Sequence, residues 1–192
     1  MSCALILLAA GGSTRMGRAK QLLPYRGTTL LRHAVNAALD SRCRPVAVVV
    51  GSQAAQMRAE LTGLPLQIVS NLAWANGLGT SIRAGLAGLL AESSPRAVLF
   101  MLCDQPAVTG DLLNALIDRY ESTNALIVAS CYDDIVGVPA LFDAALFEEL
   151  LELDDAGGAQ QLMQRHIDRL ERILFAEGSI DVDTPERYDR LK

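Results

Sequence analysis

Apolar residues in this chain fall in short runs instead of alternating with polar ones. The runs occupy 3–9, 46–50, 66–69, 97–103 and 125–129, and they are rich in Val, Ile and Leu. A strand that shows water on one face alternates, so runs of this kind predict strands covered on both faces of a sheet. Between them lie stretches with helical spacing, at about 29–40, 53–62, 79–92 and 110–121. Strand–helix alternation implies right-handed crossovers, hence an α/β fold of three layers, α/β/α, around a mainly parallel sheet. After residue 130 the rhythm changes. Gly137 and Pro139 interrupt "CYDDIVGVPALF" and speak against a central strand there. Two helical stretches follow at about 143–153 and 157–167, then a strand at 169–175. At the end Thr184 is placed as an N-cap, Pro185 as the first helical residue, and Glu186 near the positive helix end. The last third thus reads as a cover over one edge or the top of the sheet, within a single domain spanning 1–192.

Ligands of an open parallel sheet bind beyond the carboxyl ends of its strands. Four unusual loops are expected at that edge, at 10–20, 71–79, 104–106 and 131–139, and they converge on one cleft. The first is the most informative. In "LILLAAGGSTRMGRAKQLLPYRG" a buried strand runs into two glycines, and Arg15, Arg18 and Lys20 follow within six residues.

Composition narrows what such a loop does. The 192 residues are 51% hydrophobic and 20% charged, enough for a sizeable core, and the net charge is -5. An acidic chain is a poor nucleic-acid binder, because the phosphate backbone demands a basic surface. A local anion site needs only a few cations and amides. Cys3, Cys43, Cys103 and Cys131 form no C-x-x-C pair and mostly sit in apolar surroundings, so they read as structural. "CALILLAA" is too short to span a bilayer and lacks a charged leader, which predicts a soluble, cytoplasmic protein without membrane contact.

Two familiar phosphate loops fail on spacing. A dinucleotide fingerprint needs G-x-G-x-x-G, whereas the glycines here are Gly11, Gly12 and Gly17. A P-loop needs Lys and Ser/Thr after its last glycine, and Arg18 and Ala19 stand there. The small residues Ala9, Ala10, Gly11, Gly12 and Ser13, after Leu8, nonetheless let backbone amides approach a base and phosphates. Arg15 can fork onto phosphate oxygens. Of seventeen cationic residues only Lys20 and Lys192 are lysines, so a lysine in this loop points to a compact point charge. Across the cleft, Asp104 follows a buried strand and precedes Gln105-Pro106, a place suited to holding a cation over phosphates. Mg²⁺ favours one or two carboxylates plus phosphate oxygens and water. Asp181 and Asp183, in "SIDVDTPERY", share one face of an extended segment. His33 and His166 lie on helical stretches away from these loops and read as surface or partly packed groups.

The string "LAAGGSTRMGRAK" resembles the L-A-A-G-x-S-x-R-M-G-x-x-K signature of the molybdenum-cofactor nucleotidyltransferases, about nine matches in thirteen positions. The resemblance covers nearly the whole chain and implies a Rossmann-like fold. It assigns Asp104 of "DQP" as a metal ligand and favours Asp183 over Asp181 as the second. "NLAWANGLGTSIRAGL" resembles the family's third loop, which brings in Asn71, Gly77, Gly79 and Ser81 for base or ribose, with Trp74 either lining the pocket or packing beneath it. "GVPALF" resembles the acceptor-side motif G-x-P-x-L-F and implies roles for Gly137 and Pro139. "DDAGGA" departs from G-D-x-G-A-R: Asp155 keeps its place, but Asp154, Gly158 and Ala159 replace Gly, Ala and Arg, which leaves the binding of acceptor phosphate in question. What the resemblance implies is transfer of CMP from CTP to molybdopterin with release of pyrophosphate. Mg²⁺ would assist, with Mn²⁺ as the alternative, and the acceptor side would come from roughly 130–192. An apo-molybdenum hydroxylase or its chaperone is the implied protein partner. "LAAG" accompanies cytidylyl transfer in that family, "LAGG" guanylyl transfer. Rival readings are a related enzyme using GTP, a sugar phosphate or a polyol phosphate, and a nucleotide-binding chaperone without catalysis.

Overall fold

In the computed structural model, which describes residues 2–133 and 135–191, each apolar run divides its side chains between two cores. β1 (Cys3–Leu8) sends Leu5 and Leu7 into one core and Ala4, Ile6 and Leu8 into the other. Successive strand residues face opposite ways, so a strand covered on both sides must be apolar at every position. A short hairpin of β2 (Pro24–Tyr25) and β3 (Thr28–Thr29) leads into α1 (Leu30–Asp40). Thr29 caps that helix by accepting a hydrogen bond from the Arg32 N–H. β4 (Val46–Val50), α2 (Ala54–Glu60), β5 (Gln67–Ser70), α3 (Leu78–Leu90), β6 (Ala97–Leu102) and α4 (Gly110–Thr123) follow. α1, α2 and α4 pack into the first core and α3 into the second, which completes the three layers.

β7 (Ile127–Tyr132), β8 (Ile135–Asp143), α5 (Phe147–Leu151), α6 (Gln160–Arg165), β9 (Leu170–Leu174) and α7 (Pro185–Asp189) make up the last third. This part is more than the cover that its Gly and Pro residues suggested: β7, β8 and β9 extend the sheet, while α5 and α6 pack into the second core. The order is β5-β4-β1-β6-β8-β7-β9, with β8 antiparallel to both neighbours and every other pairing parallel.

β8 tolerates Pro139 for a specific reason. Its register against β7 jumps from Ala129↔Ala140 to Ser130↔Gly137, so Pro139 falls in an irregularity where the ladder asks for no N–H. Pairing with β6 begins only at Ala140, and the Ser130 hydroxyl donates to the Pro139 carbonyl at 2.8 Å. No helix among the described residues is long and apolar enough to cross a membrane.

Progressing outward from β1, the chain first goes to β4 and β5 and then returns to β6 on the other side. The connections leaving β1 and β6 therefore part at a switch point, and a crevice opens beyond their carboxyl ends. A third, small core of Met16, Leu23, Tyr25, Leu30, Val182 and Tyr188 ties the loop after β1 to the C-terminal segment. The Tyr188 hydroxyl donates to the Pro24 carbonyl at 2.6 Å, and the Val182 N–H to the Asp104 carbonyl at 3.0 Å.

Candidate active site

The loop after β1 is held from inside by a residue that the sequence did not single out. Gln21 is 1% exposed; its amide nitrogen donates to the carbonyls of Ala9 (3.0 Å) and Gly11 (2.8 Å). The Ser13 hydroxyl donates to the Gln21 carbonyl oxygen at 3.2 Å and accepts from the Lys20 N–H at 3.1 Å. Ser52 N–H takes the Ala10 carbonyl at 3.0 Å. With three successive carbonyl oxygens engaged, the loop can offer its N–H groups to an anion without carbonyl repulsion. The curl is tight: Ser13 is left-handed (φ 52) and so is Gly17 (φ 66). At Gly12 a Cβ would stand 2.7 Å from the Trp74 ring, so Trp74 both packs beneath the loop and lines the pocket.

Four charged groups from three separate parts of the sequence meet at the mouth. The Lys20 ammonium lies 2.5 Å from Asp104 Oδ2 and 2.6 Å from Asp183 Oδ1, and Arg15 reaches Asp183 Oδ2 at 2.6 Å. The Lys20 and Asp104 side chains are only 15% and 11% exposed, whereas Arg15 is 69% exposed. Burial pulls the Lys20 ammonium down, but the charge and hydrogen bond of Asp104, with the hydrogen bond of Asp183, outweigh it and leave its pKa above the ordinary value. Burial pushes the Asp183 carboxyl up, yet the Lys20 hydrogen bond and charge, joined by Arg15, hold it below the usual range. Asp181 pairs instead with Arg187 on α7 and stays outside the cluster.

A cavity of about 390 Å³ lies beside these charges, walled by Leu8, Ala9, Ala10, Gly11, Trp74 and Ser81 among others. Arg15, Lys20 and Asp104 face the same cavity. Asn71 does not line it. Its amide nitrogen donates to the hydroxyls of Thr80 (2.8 Å) and Ser81 (3.0 Å), which braces the 71–79 loop onto α3. Gly79 is buried against the 154–157 turn, and its N–H donates to the Asp155 carbonyl at 3.0 Å. The Asp155 side chain pairs with Arg83 and accepts from Asn76 at 3.2 Å, so it buttresses that turn.

A second hollow of about 210 Å³ shares Leu8, Leu78 and Leu102 with the first. Tyr132, Gly137, Val138 and Ala159 help line it, while Pro139 is buried within β8 and does not. Nothing local in the sequence marks Leu78, Leu102 or Tyr132 as wall residues; the sheet brings them together. His33 proves closer to the site than its helix suggested, since its Nε2 lies 2.9 Å from the Pro106 carbonyl, behind the Asp104 loop.

The donor set suits a divalent cation. Asp104 Oδ1 is buried and meets no hydrogen-bond donor among the described residues. Those residues contain no cluster of three or more His, Cys, Asp or Glu side chains, so a metal here would rely on Asp104, Asp183 and oxygens brought by substrate and water. That is the sparse protein coordination Mg²⁺ accepts.

The profile of the MobA-like NTP transferase domain matches residues 5–170. Over 198 residues the chain is 32% identical to the nicotine blue oxidoreductase of Paenarthrobacter nicotinovorans, with 97% of this chain and 94% of that one covered. It is 30% identical, over the same shares, to the purine catabolism protein PucB of Bacillus subtilis (strain 168). Identity to the molybdenum cofactor cytidylyltransferase of Escherichia coli (strain K12) is 24%, again over 97% and 94%. The crystal structure of Rv0371C of Mycobacterium tuberculosis H37Rv in complex with manganese superposes with a TM-score of 0.81 at 29% identity, covering 100% of this chain and 98% of that one.

Proposed function

We propose, from the premise that the chain belongs to the MobA-like NTP transferase family, that it moves CMP from CTP to the terminal phosphate of molybdopterin and releases pyrophosphate. The observation that carries this is the meeting of Lys20, Asp104 and Asp183 at the mouth of the Ala9–Gly11 cavity.

The reaction is in-line attack by an acceptor phosphate oxygen on the α-phosphorus of the nucleotide. A phosphate monoester is already anionic, so the protein has little proton transfer to perform. Its work is positioning and charge stabilisation. Amides of residues 10–13 and the Arg15 and Lys20 side chains hold the triphosphate, the Ala9 N–H being taken by the Val49 carbonyl. Asp104 and Asp183 would hold Mg²⁺, or Mn²⁺, which when bound offsets charge on the phosphates and the leaving pyrophosphate. The hollow by Tyr132 and Gly137 takes the acceptor. CTP is favoured over GTP because the Ala10 methyl narrows the base side of the cavity, which is worth about 1–3 kcal/mol of discrimination. The E. coli relative named for cytidylyl transfer supports the choice of nucleotide and acceptor.

A rival class comes from the relative named as an oxidoreductase. Hydride transfer has no need of paired carboxylates beside a lysine, so dispensable carboxylates would favour it. Purified protein is mixed with each nucleoside triphosphate, Mg²⁺ and molybdopterin, and the product is weighed. The CTP reaction should yield the cytidine dinucleotide. Lys20→Ala and Asp104→Ala should each lower turnover at least about a hundredfold with the fold intact. Near-normal turnover in either variant defeats its role.

A further inference from the structure

Lys20 stands where the two carboxylates proposed as metal ligands converge. A divalent ion bound to both carboxylates would sit roughly 2.1 Å from their oxygens. Lys20 Nζ lies between those same oxygens, 2.5 Å from Asp104 Oδ2 and 2.6 Å from Asp183 Oδ1. We propose that the Lys20 ammonium is a built-in stand-in for the divalent cation, so that lysine and metal exclude each other and a triphosphate must draw Lys20 away before the metal is held. The inference rests on the transferase reading above, and adds to it an order of binding.

The physical reasons are charge and reach. Lys20 and Arg15 balance Asp104 and Asp183, so the cluster is neutral as it stands. A divalent ion arriving alone would meet an ammonium in a partly desolvated site, where like charges repel strongly. A triphosphate supplies the opposite charge and gives both cations a new partner. The lysine stem is flexible enough to swing. Its backbone is tied to the loop, the Lys20 N–H donating to Ser13 Oγ at 3.1 Å and its carbonyl accepting from the Leu23 N–H at 3.1 Å. Asp104 Oδ1, buried and without a donor, is carboxylate capacity that the Lys20 contact leaves unused.

The test reads metal binding directly. Mn²⁺ is titrated into nucleotide-free protein and followed by electron paramagnetic resonance, for the parent, K20M, K20R and K20M/D104N, with thermal unfolding to check each fold. The expected result is weak binding in the parent and K20R, at least about tenfold tighter binding in K20M, and loss of that gain in K20M/D104N. K20Q replaces K20M should the latter prove insufficiently stable. Equal Mn²⁺ affinity in parent and in the uncharged variants overturns the inference. If Asp104→Asn then abolishes the binding shared by both, the carboxylate metal site stands and only the exclusion fails. If K20M gains affinity that Asp104→Asn leaves untouched, the metal binds elsewhere, and both the inference and the metal ligands assigned above fall.

Discussion

Replacing Gln21 by Met isolates the device that shapes the glycine loop. Methionine keeps most of the volume and removes every hydrogen bond, so little cavity forms and the polar terms dominate. The Ala9 carbonyl belongs to a residue only 1% exposed and would be left without its Gln21 donor. An orphaned buried acceptor costs about 1–3 kcal/mol. Gly11 is exposed, so its carbonyl can turn to water, and the Ser13 hydroxyl can do likewise at a loss of about 0.5 kcal/mol. The sum is about 1.5–3.5 kcal/mol, which in a chain of this size lowers Tm by roughly 3–14 °C. Nucleotide affinity should fall by at least about tenfold as well, because the loop must now be ordered at the moment of binding. Differential scanning fluorimetry gives the first quantity and isothermal titration calorimetry with CTP the second. A Tm within about 1 °C of the parent, with CTP affinity unchanged, would show that Gln21 does not hold the loop.

Gly79→Ala drives a Cβ into the Asp154 carbonyl and to 2.9 Å from that of Gly157, so we expect about 2–3 kcal/mol of destabilisation, read by urea unfolding. An unchanged midpoint would mean that the 154–157 turn yields freely. Burial, reinforced by the Asp104 charge, pushes the Cys103 thiol up to about 12, so iodoacetamide at pH 8 should spare Cys103 in the folded protein and modify it after unfolding; rapid native labelling would contradict this. The sign for stability follows. The folded value lies above the ordinary 9.0, so the contribution of this thiol is present below that value and is lost as pH climbs towards 12.

Much of the candidate site was legible as a spatial cluster because its first half is local. Ala9 to Lys20 lie in one loop, and the strand before it is apolar on both faces, so residue order alone brings small groups and cations to a sheet edge. Asp104 was legible for the same reason, at the end of β6. β8 was not. Gly137 and Pro139 forbid a regular central strand, and only a register shift against β7 makes room for them. Gln21 reads as an ordinary polar residue, because its burial exists only once the loop curls around it. Asp183 could be named over Asp181 from its motif, but why Asp183 reaches Lys20 while Asp181 turns to Arg187 depends on how residues 181–183 enter the site. Val182, packed beside Met16 and Tyr188 and bonded to the Asp104 backbone, sets that entry.

Local pattern and loop chemistry are thus written along the chain, since strand burial and turn formation depend on neighbours in sequence. The contact of Lys20 with Asp183, across 163 positions, is written nowhere in that order. It arises because a small apolar core folds the C-terminal segment back onto the first loop, and packing of that kind is decided in three dimensions.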